Sequence, residues 1–299
     1  MNLWKLSGTA FSQNHLVRSY IQMSSNVDSI LKGVDFILFD ALDTLYKPKT
    51  SIGYSYLAFL EKKNANPQKI TEATMESNFL KSFKEVNDKS KSFGFYEGID
   101  DGEWWKRVIR LTYIYSGVEV KVVDSLIDEA TDELMKAYSS SIGYVVYPDT
   151  VSTIPKLKEL GYKIGVVSNS DTRTPLVLKD MNLLSYFDFV IDSASFGVEK
   201  PSPEIFNIAM QKILNIDGKG IDKSRVLHVG DNLKKDFFGA LSFGFNAALL
   251  CRPGETPNPS IKTQNDLDLT VGNFDKSLVA SQKFGVISSL GQLLPVEKN

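Results

Sequence analysis

Short apolar runs that stop at polar residues constrain this chain more than any other feature. "FILFDALDTLY" (36–46) is apolar up to Asp40, "YKIGVVSN" (162–169) ends in Ser168 and Asn169, and "RVLHVGD" (225–231) ends at Asp231. "FDFVIDSAS" (187–195) and "NAALLCR" (246–252) read as further strands. Strands apolar on every residue are buried on both faces, unlike the alternating strands of a one-sided antiparallel sheet. Helical patterns separate them. Asp149 is placed to cap "TVSTIPKLKEL", with Gly161 ending that helix in the left-handed conformation. Ser202 is placed to cap "PEIFNIAMQKIL", with Pro203 at the first helical position. Alternating strands and helices give a Rossmann-like, doubly wound parallel α/β sheet. Ligands of such sheets bind beyond the carboxyl ends of the strands, so Asp40, Ser168 and Asp231 are expected to converge there.

Residues 49–147 break the alternation. "VVDSLIDEATDELMKAY" puts Val123, Ile127, Ala130, Leu134 and Ala137 near one helical face, and "GEWWKRVIRLTYIY" is also helical in pattern. "SKSFGFYEGIDDG" (90–102) reads as a Gly-rich loop. Trp104 and Trp105 are expected to pack the core of this insert, and Asp100, Asp101 and Glu103 to form a solvated face. The expected organisation is a tail over 1–32, an α/β core from 33–48 and 148–299, and a helical cap over 49–147. "RPGETPNPS" (252–260) reads as a Pro-rich surface loop.

The net charge of −2 offers no electrostatic footprint for nucleic acid. No apolar run approaches the roughly 18 residues of a membrane span. One cysteine, Cys251, excludes an internal disulfide and suits a reducing, intracellular compartment. The first 27 residues hold Lys5, His15 and Arg18, many hydroxyl residues and no acid before Asp28. That composition predicts a mitochondrial targeting segment, with "RSYIQ" (18–22) similar to an arginine-containing cleavage site. The alternative is a frayed tail on a protein of the cytoplasm or nucleus.

Four pieces, "FDALDTL", "VVSNS", "GVEKPSPEIF" and "HVGDNLKKDFFGA", occur in the order and spacing that resemble the haloacid dehalogenase (HAD) superfamily of hydrolases, in its helical-cap subfamily. The resemblance covers roughly residues 34 to 295 and rests on four motifs together, any one of which would be weak alone. It implies that Asp40 is a nucleophile forming an aspartyl-phosphate. It further implies that Ser168 holds a phosphoryl oxygen, with Asn169 beside the substrate, and that Lys200 steadies Asp40 and the transferring group. Asp231, Asp236, Asp40 and the Leu42 carbonyl would hold Mg²⁺, a hard ion that resolves the repulsion of clustered carboxylates. His228, in mid-strand, is expected to be structural. The implied ligand is a small phosphorylated metabolite.

One residue departs from the pattern. Active phosphatases of the superfamily carry D-x-D-G-T, whose second Asp protonates the leaving oxygen. Here Leu42 stands at that position and Asp43 at the glycine position. Along an extended strand residues 40 and 42 share a face and 43 takes the other, so Asp43 is expected to serve the turn. Losing a general acid typically costs about 10² to 10⁴ in rate. Three readings fit this arrangement. They are a specialised Mg²⁺-dependent phosphohydrolase or phosphotransferase, a pseudoenzyme binding a phosphometabolite or protein, and, ranked last, a metal-free dehalogenase like those with "FDAYGTL".

Overall fold

The computed structural model describes residues 30–66, 68–253 and 282–295. The expected targeting segment, and all of "RPGETPNPS" beyond its first two residues, lie outside these.

Six parallel strands form one sheet in the order β5-β4-β1-β6-β7-β8: β1 (Phe36–Phe39), β4 (Lys163–Ser168), β5 (Phe189–Asp192), β6 (Val226–Gly230), β7 (Asn246–Leu250) and β8 (Phe284–Ile287). β1 is central, and the winding reverses across it. Alternation along the buried strands sends Ile37 and Phe39 to one face and Phe36 and Leu38 to the other. The first pair packs with Ile154 and Leu157 of helix α5 (Pro148–Glu159) and with Val177 and Leu178 of helix α6 (Thr174–Asp180). The second packs with Ile205, Phe206, Ala209 and Ile213 of helix α8 (Pro203–Asp217). Each such side chain contributes about 1.5–3 kcal/mol by leaving water, which explains why both faces must be covered. This is the doubly wound α/β core read from the strand pattern.

Helix α5 corrects one detail. It begins at Pro148 with Tyr147 at the N-cap, so Asp149 lies inside its first turn and does not cap it. Proline at the first position starts the helix one residue earlier than the Asp signal suggested. The Asp149 carboxylate instead accepts hydrogen bonds from the Leu290 N–H (2.9 Å), Ser289 Oγ (3.1 Å) and Arg252 (2.9 Å). Gly161 does end the helix with φ +90°, where only glycine is unstrained.

A two-stranded antiparallel ribbon, β2 (Tyr46–Pro48) with β3 (Tyr144–Val146), closes the base of the insert. Between them lie helices α1 (Ile52–Lys62), α2 (Glu72–Lys89), α3 (Asp101–Tyr115) and α4 (Val120–Ala137), packed around Tyr56, Phe59, Met75, Trp104, Ile109 and Leu134. Asp100 caps α3 by accepting the Glu103 N–H at 2.8 Å, and Asp101 is the helix's first residue. The stretch read as a plain loop contains a short 3₁₀ turn, Ser92–Glu97, with Ser92 and Phe93 at positive φ. After β5 comes helix α7 (Ser193–Phe196). After β6 comes a π-helical turn, Leu233–Phe238, running into helix α9 (Gly239–Phe243).

Candidate active site

Asp40, Ser168 and Asp231 emerge at the carboxyl ends of three adjacent strands, β1, β4 and β6. Register aligns Phe39 with Val166 on one side and with Val229 on the other, and the Asp40 N–H donates to the Val229 carbonyl at 2.9 Å. Asp40, Asp231 and Asp236 bring carboxylate oxygens within 4.8 Å of one another.

Lys200 is the cation among them. Its buried ammonium lies 2.7 Å from Asp40 Oδ1 and 2.7 Å from Asp236 Oδ1, and it donates to the Val167 carbonyl at 2.7 Å. Burial opposes its charge, but the carboxylates of Asp236 and Asp40 outweigh that and raise its pKa. Asn169 fixes the lysine's backbone from both sides: the Lys200 N–H donates to Asn169 Oδ1 at 2.7 Å, and Asn169 Nδ2 donates to the Lys200 carbonyl at 2.8 Å. The side chain read as a substrate helper therefore ties the end of β4 to the lysine loop.

Asp236 is buried and saturated with partners. Its Oδ1 meets Lys200 and His228 Nε2 (2.9 Å), and its Oδ2 accepts the Asn232 N–H at 3.0 Å. Burial works against its charge, yet Lys200 and His228 hold its pKa far below the usual carboxylate range. The wide π turn that carries Asp236 is capped by Asn232, whose Oδ1 accepts the N–H groups of Lys234 and Lys235. A Cβ on Gly230 would sit 2.3 Å from the Asp236 carboxyl carbon, so β6 must end in glycine for this carboxylate to fold back under the strand. His228, read as structural, is fully buried in β6 and in contact with Asp236. Burial depresses its pKa and keeps the ring neutral.

Among the described residues no cation pairs directly with Asp231, and Lys200 acts on it only as the weakest influence. Burial, and then the charges of Asp40 and Asp236, push its pKa up to about 8. A trio of oxygen donors whose third member cannot ionise comfortably beside the other two fits a hard divalent cation, which would neutralise the excess charge.

At the expected acid position, Leu42 is 40% exposed and offers no proton. Asp43 has φ +60°, and its N–H donates to the Tyr46 carbonyl at 2.8 Å, so it forms the turn into β2. Arg252, two residues past the end of β7, braces that turn. Its guanidinium donates to the carbonyls of Asp43 (3.0 Å) and Thr44 (2.9 Å) and lies 3.6 Å from the centre of the Tyr147 ring.

The cap reaches the core through contacts that local sequence did not show. Trp104 is buried within the cap, but Trp105 is only half-buried, and its indole N–H donates to Asp171 Oδ2 at 2.6 Å. Asp101, read as a solvated acid, accepts from the Thr172 N–H at 2.9 Å and from its hydroxyl. Arg173 pairs with Asp171 at 2.5 Å and lies over the Trp105 ring. The Ser92 N–H donates to Glu199 at 3.2 Å, and the Tyr96 hydroxyl to the Gly197 carbonyl at 2.8 Å. The cap thus grips the loops bearing Ser168–Asn169 and Lys200. The polar run "SNSDTR" after β4 was the available signal.

A family model described as a haloacid dehalogenase-like hydrolase matches residues 34–244. Haloacid dehalogenase-like hydrolase domain-containing protein 3 of Danio rerio is 32% identical over 219 residues, covering 73% of this chain and 86% of its own length. The rhythmically expressed gene 2 protein of Drosophila melanogaster is 29% identical over 221 residues, covering 72% and 82%. A dehalogenase crystal structure aligns with a TM-score of 0.58 at 20% identity, covering 89% of this chain and 98% of that one. The HAD-hydrolase YfnB of Bacillus subtilis, solved bound to magnesium, aligns with a TM-score of 0.55 at 17% identity, covering 87% and 96%. At these identities the two structures speak to fold alone. With its strand-end acids, its inserted helical cap and these sequence matches, the chain belongs to the haloacid dehalogenase-like hydrolases.

Proposed function

We propose that this hydrolase is a Mg²⁺-dependent phosphohydrolase or phosphotransferase for a small phosphorylated metabolite, acting through an aspartyl-phosphate on Asp40. The observation that carries the reading is the convergence of Asp40, Asp231 and Asp236 within 4.8 Å around the buried Lys200. Asp40, Asp231, Asp236 and the Leu42 carbonyl would hold the ion. When bound, Mg²⁺ supplies positive charge to the phosphoryl oxygens, and magnesium is also the ion in the YfnB structure. A metal-free dehalogenase would have no use for the third carboxylate.

In the first step an Asp40 carboxylate oxygen bonds to phosphorus and the bond to the leaving oxygen breaks, with the electron pair departing on the leaving group. Lys200, 2.7 Å from Asp40, orients the nucleophile and offers positive charge to the transferring group. Ser168, at the end of β4, offers a hydroxyl donor to a phosphoryl oxygen. Water then attacks phosphorus, which releases phosphate and restores Asp40. No acid stands at position 42, so the leaving group must depart without a proton. Acyl phosphates, anhydrides and aryl phosphates meet that condition, whereas sugar alkoxides do not.

Leu42 also favours a second reading, a scaffold that binds a phosphometabolite without turnover. A phosphate-release screen over acyl, aryl and alkyl phosphates with Mg²⁺, comparing wild type with Asp40→Asn, separates the two. Mass-spectrometric trapping of a phosphoaspartate adds a second readout. Release from activated phosphates that vanishes in Asp40→Asn supports the hydrolase. Binding without release from any of them supports the scaffold.

A further inference from the structure

The chain crosses between core and cap twice, and one side chain touches both crossings. The outgoing crossing is the turn over residues 41–45, from β1 into β2, and the returning one runs from β3 through Tyr147 into helix α5. Leu45 joins them, its carbonyl accepting the Tyr147 N–H at 3.1 Å and the Thr150 hydroxyl at 2.9 Å. Arg252 lies across this seam. Its Nη1 donates to the Asp43 carbonyl at 3.0 Å and its Nη2 to the Thr44 carbonyl at 2.9 Å. Nη2 also donates to Asp149 at 2.9 Å, and the guanidinium carbon lies 3.6 Å from the centre of the Tyr147 ring. The side chain is only 9% exposed. One planar, forked cation therefore serves two carbonyls of the outgoing crossing and a ring and a carboxylate of the returning one, which a lysine's single nitrogen does not reproduce.

The outgoing turn needs such a hold. Asp43 stands at φ +60°, a left-handed conformation that is costly for a residue bearing a Cβ, and the D-x-D-G-T motif has glycine there. Strained backbone of this kind persists where its surroundings over-determine it. The Asp43 N–H donates to the Tyr46 carbonyl at 2.8 Å, while the carbonyls of Asp43 and Thr44 are taken by Arg252, so three successive peptide planes are fixed. The first plane is the decisive one. The Leu42 carbonyl and the Asp43 N–H belong to the same rigid trans unit and point opposite ways. A turn that relaxed at Asp43 would swing the Leu42 carbonyl with it.

We propose that Arg252 is a positioning residue for the metal site: by clamping both crossings it holds Asp43 in its left-handed turn and so sets the direction of the Leu42 carbonyl. The clamp itself follows from the contacts above, and its consequence for Mg²⁺ rests on the proposed metal-dependent function. Charge and geometry predict opposite signs. A cation acting on Mg²⁺ by charge alone repels it, so losing Arg252 would tighten binding. A clamp acts through the Leu42 carbonyl, so losing it weakens binding. Glycine at position 43 adopts the turn without strain and should make the clamp dispensable.

The test uses the full chain, with Mg²⁺ affinity read by isothermal titration calorimetry and amide hydrogen exchange read on the metal-free protein. Arg252→Lys keeps the charge and loses the fork. It should speed exchange in residues 41–46 and 147–150 together and leave β4 and β6 unchanged. It should also weaken Mg²⁺ binding about tenfold, the usual cost of losing a group that orients a metal ligand. Arg252→Met should weaken binding too, against the sign expected from charge. In an Asp43→Gly background the Arg252→Lys change should cost less than about threefold, a non-additivity that a residue acting only on overall stability would not show. Asp43→Asn removes the carboxylate but keeps a side chain in the left-handed turn, so there the loss should stay well above that in Asp43→Gly. Tighter Mg²⁺ binding in Arg252→Met, or an equal loss in the Asp43→Gly background, overturns the proposal. So does exchange that speeds only around Asp149 and Leu290, which would make Arg252 a partner of that helix end alone. If wild type binds no Mg²⁺, the metal-dependent function falls, and the clamp is then upheld by joint acceleration of both crossings or overturned by its absence.

Discussion

The Lys200 ammonium is shared between two acids, lying 2.7 Å from Asp40 Oδ1 and 2.7 Å from Asp236 Oδ1 at an almost completely buried position. One cation thus compensates Asp40 and an acid on another strand's loop, linking the candidate site to the stability of the core. Lys200→Met keeps the volume and removes the charge. Stranding buried carboxylates typically costs about 3–5 kcal/mol, so the urea midpoint should fall markedly. Phosphate release from an activated ester should fall by about 10² to 10³. A variant as stable as wild type would mean that the two carboxylates do not depend on this lysine.

Leu42→Asp should restore the missing proton donor at little cost to folding, because the side chain is already 40% exposed. The gain should depend on the leaving group. Alkyl phosphates should improve by up to about 10² to 10⁴, the usual worth of a general acid. Acetyl phosphate should change little, since its leaving group needs no proton. Measuring both substrates on one preparation checks this, and equal gains on both would remove Leu42 as the reason for a narrow substrate range.

Trp105→Phe keeps an aromatic ring but loses the indole N–H that donates to Asp171 at 2.6 Å. Leaving a buried carboxylate oxygen short of a donor costs about 1–3 kcal/mol. The loss falls on the cap–core contact, so it should appear as faster amide hydrogen exchange in residues 92–105 and 170–174, with the central strands β1 and β6 unchanged. Uniform acceleration throughout the chain would show that the contact stabilises the whole fold and not the cap alone.

What local sequence revealed and what it hid divide along one physical line. The strands were readable because a doubly covered sheet demands uninterrupted apolar runs, and the ends of β1, β4 and β6 follow from chain direction alone. Gly161 and Pro203 were readable because backbone geometry at helix ends is a local matter. Side chains whose partners lie far along the chain were not. Asp149 looked like a helix cap and is instead held by Ser289, Leu290 and Arg252. Asp101 looked solvated and bonds Thr172. Asn169, expected beside the substrate, also engages the Lys200 backbone, a contact that local sequence does not show. A polar side chain carries the same local signal whether its acceptor is water or a loop from the other domain. Only assembly of the sheet decides between them.

Cys251 follows β7, and its N–H donates to the Ile287 carbonyl at 2.8 Å. Burial, reinforced by the charge of Asp231, pushes its thiol up to about 11. The thiolate is the reactive form, so the shift suppresses reactivity below that pH and releases it as pH rises toward 11. At pH 8 the thiolate fraction is about a hundredfold or more below that of an ordinary cysteine with a pKa near 8.5. Alkylation by iodoacetamide, followed by mass spectrometry, should therefore be about a hundredfold slower than for glutathione at pH 8. It should accelerate about tenfold per pH unit up to pH 10, and reach the rate of a free thiol once urea unfolds the chain. Rapid alkylation of the folded protein at pH 7 would contradict this shielded environment.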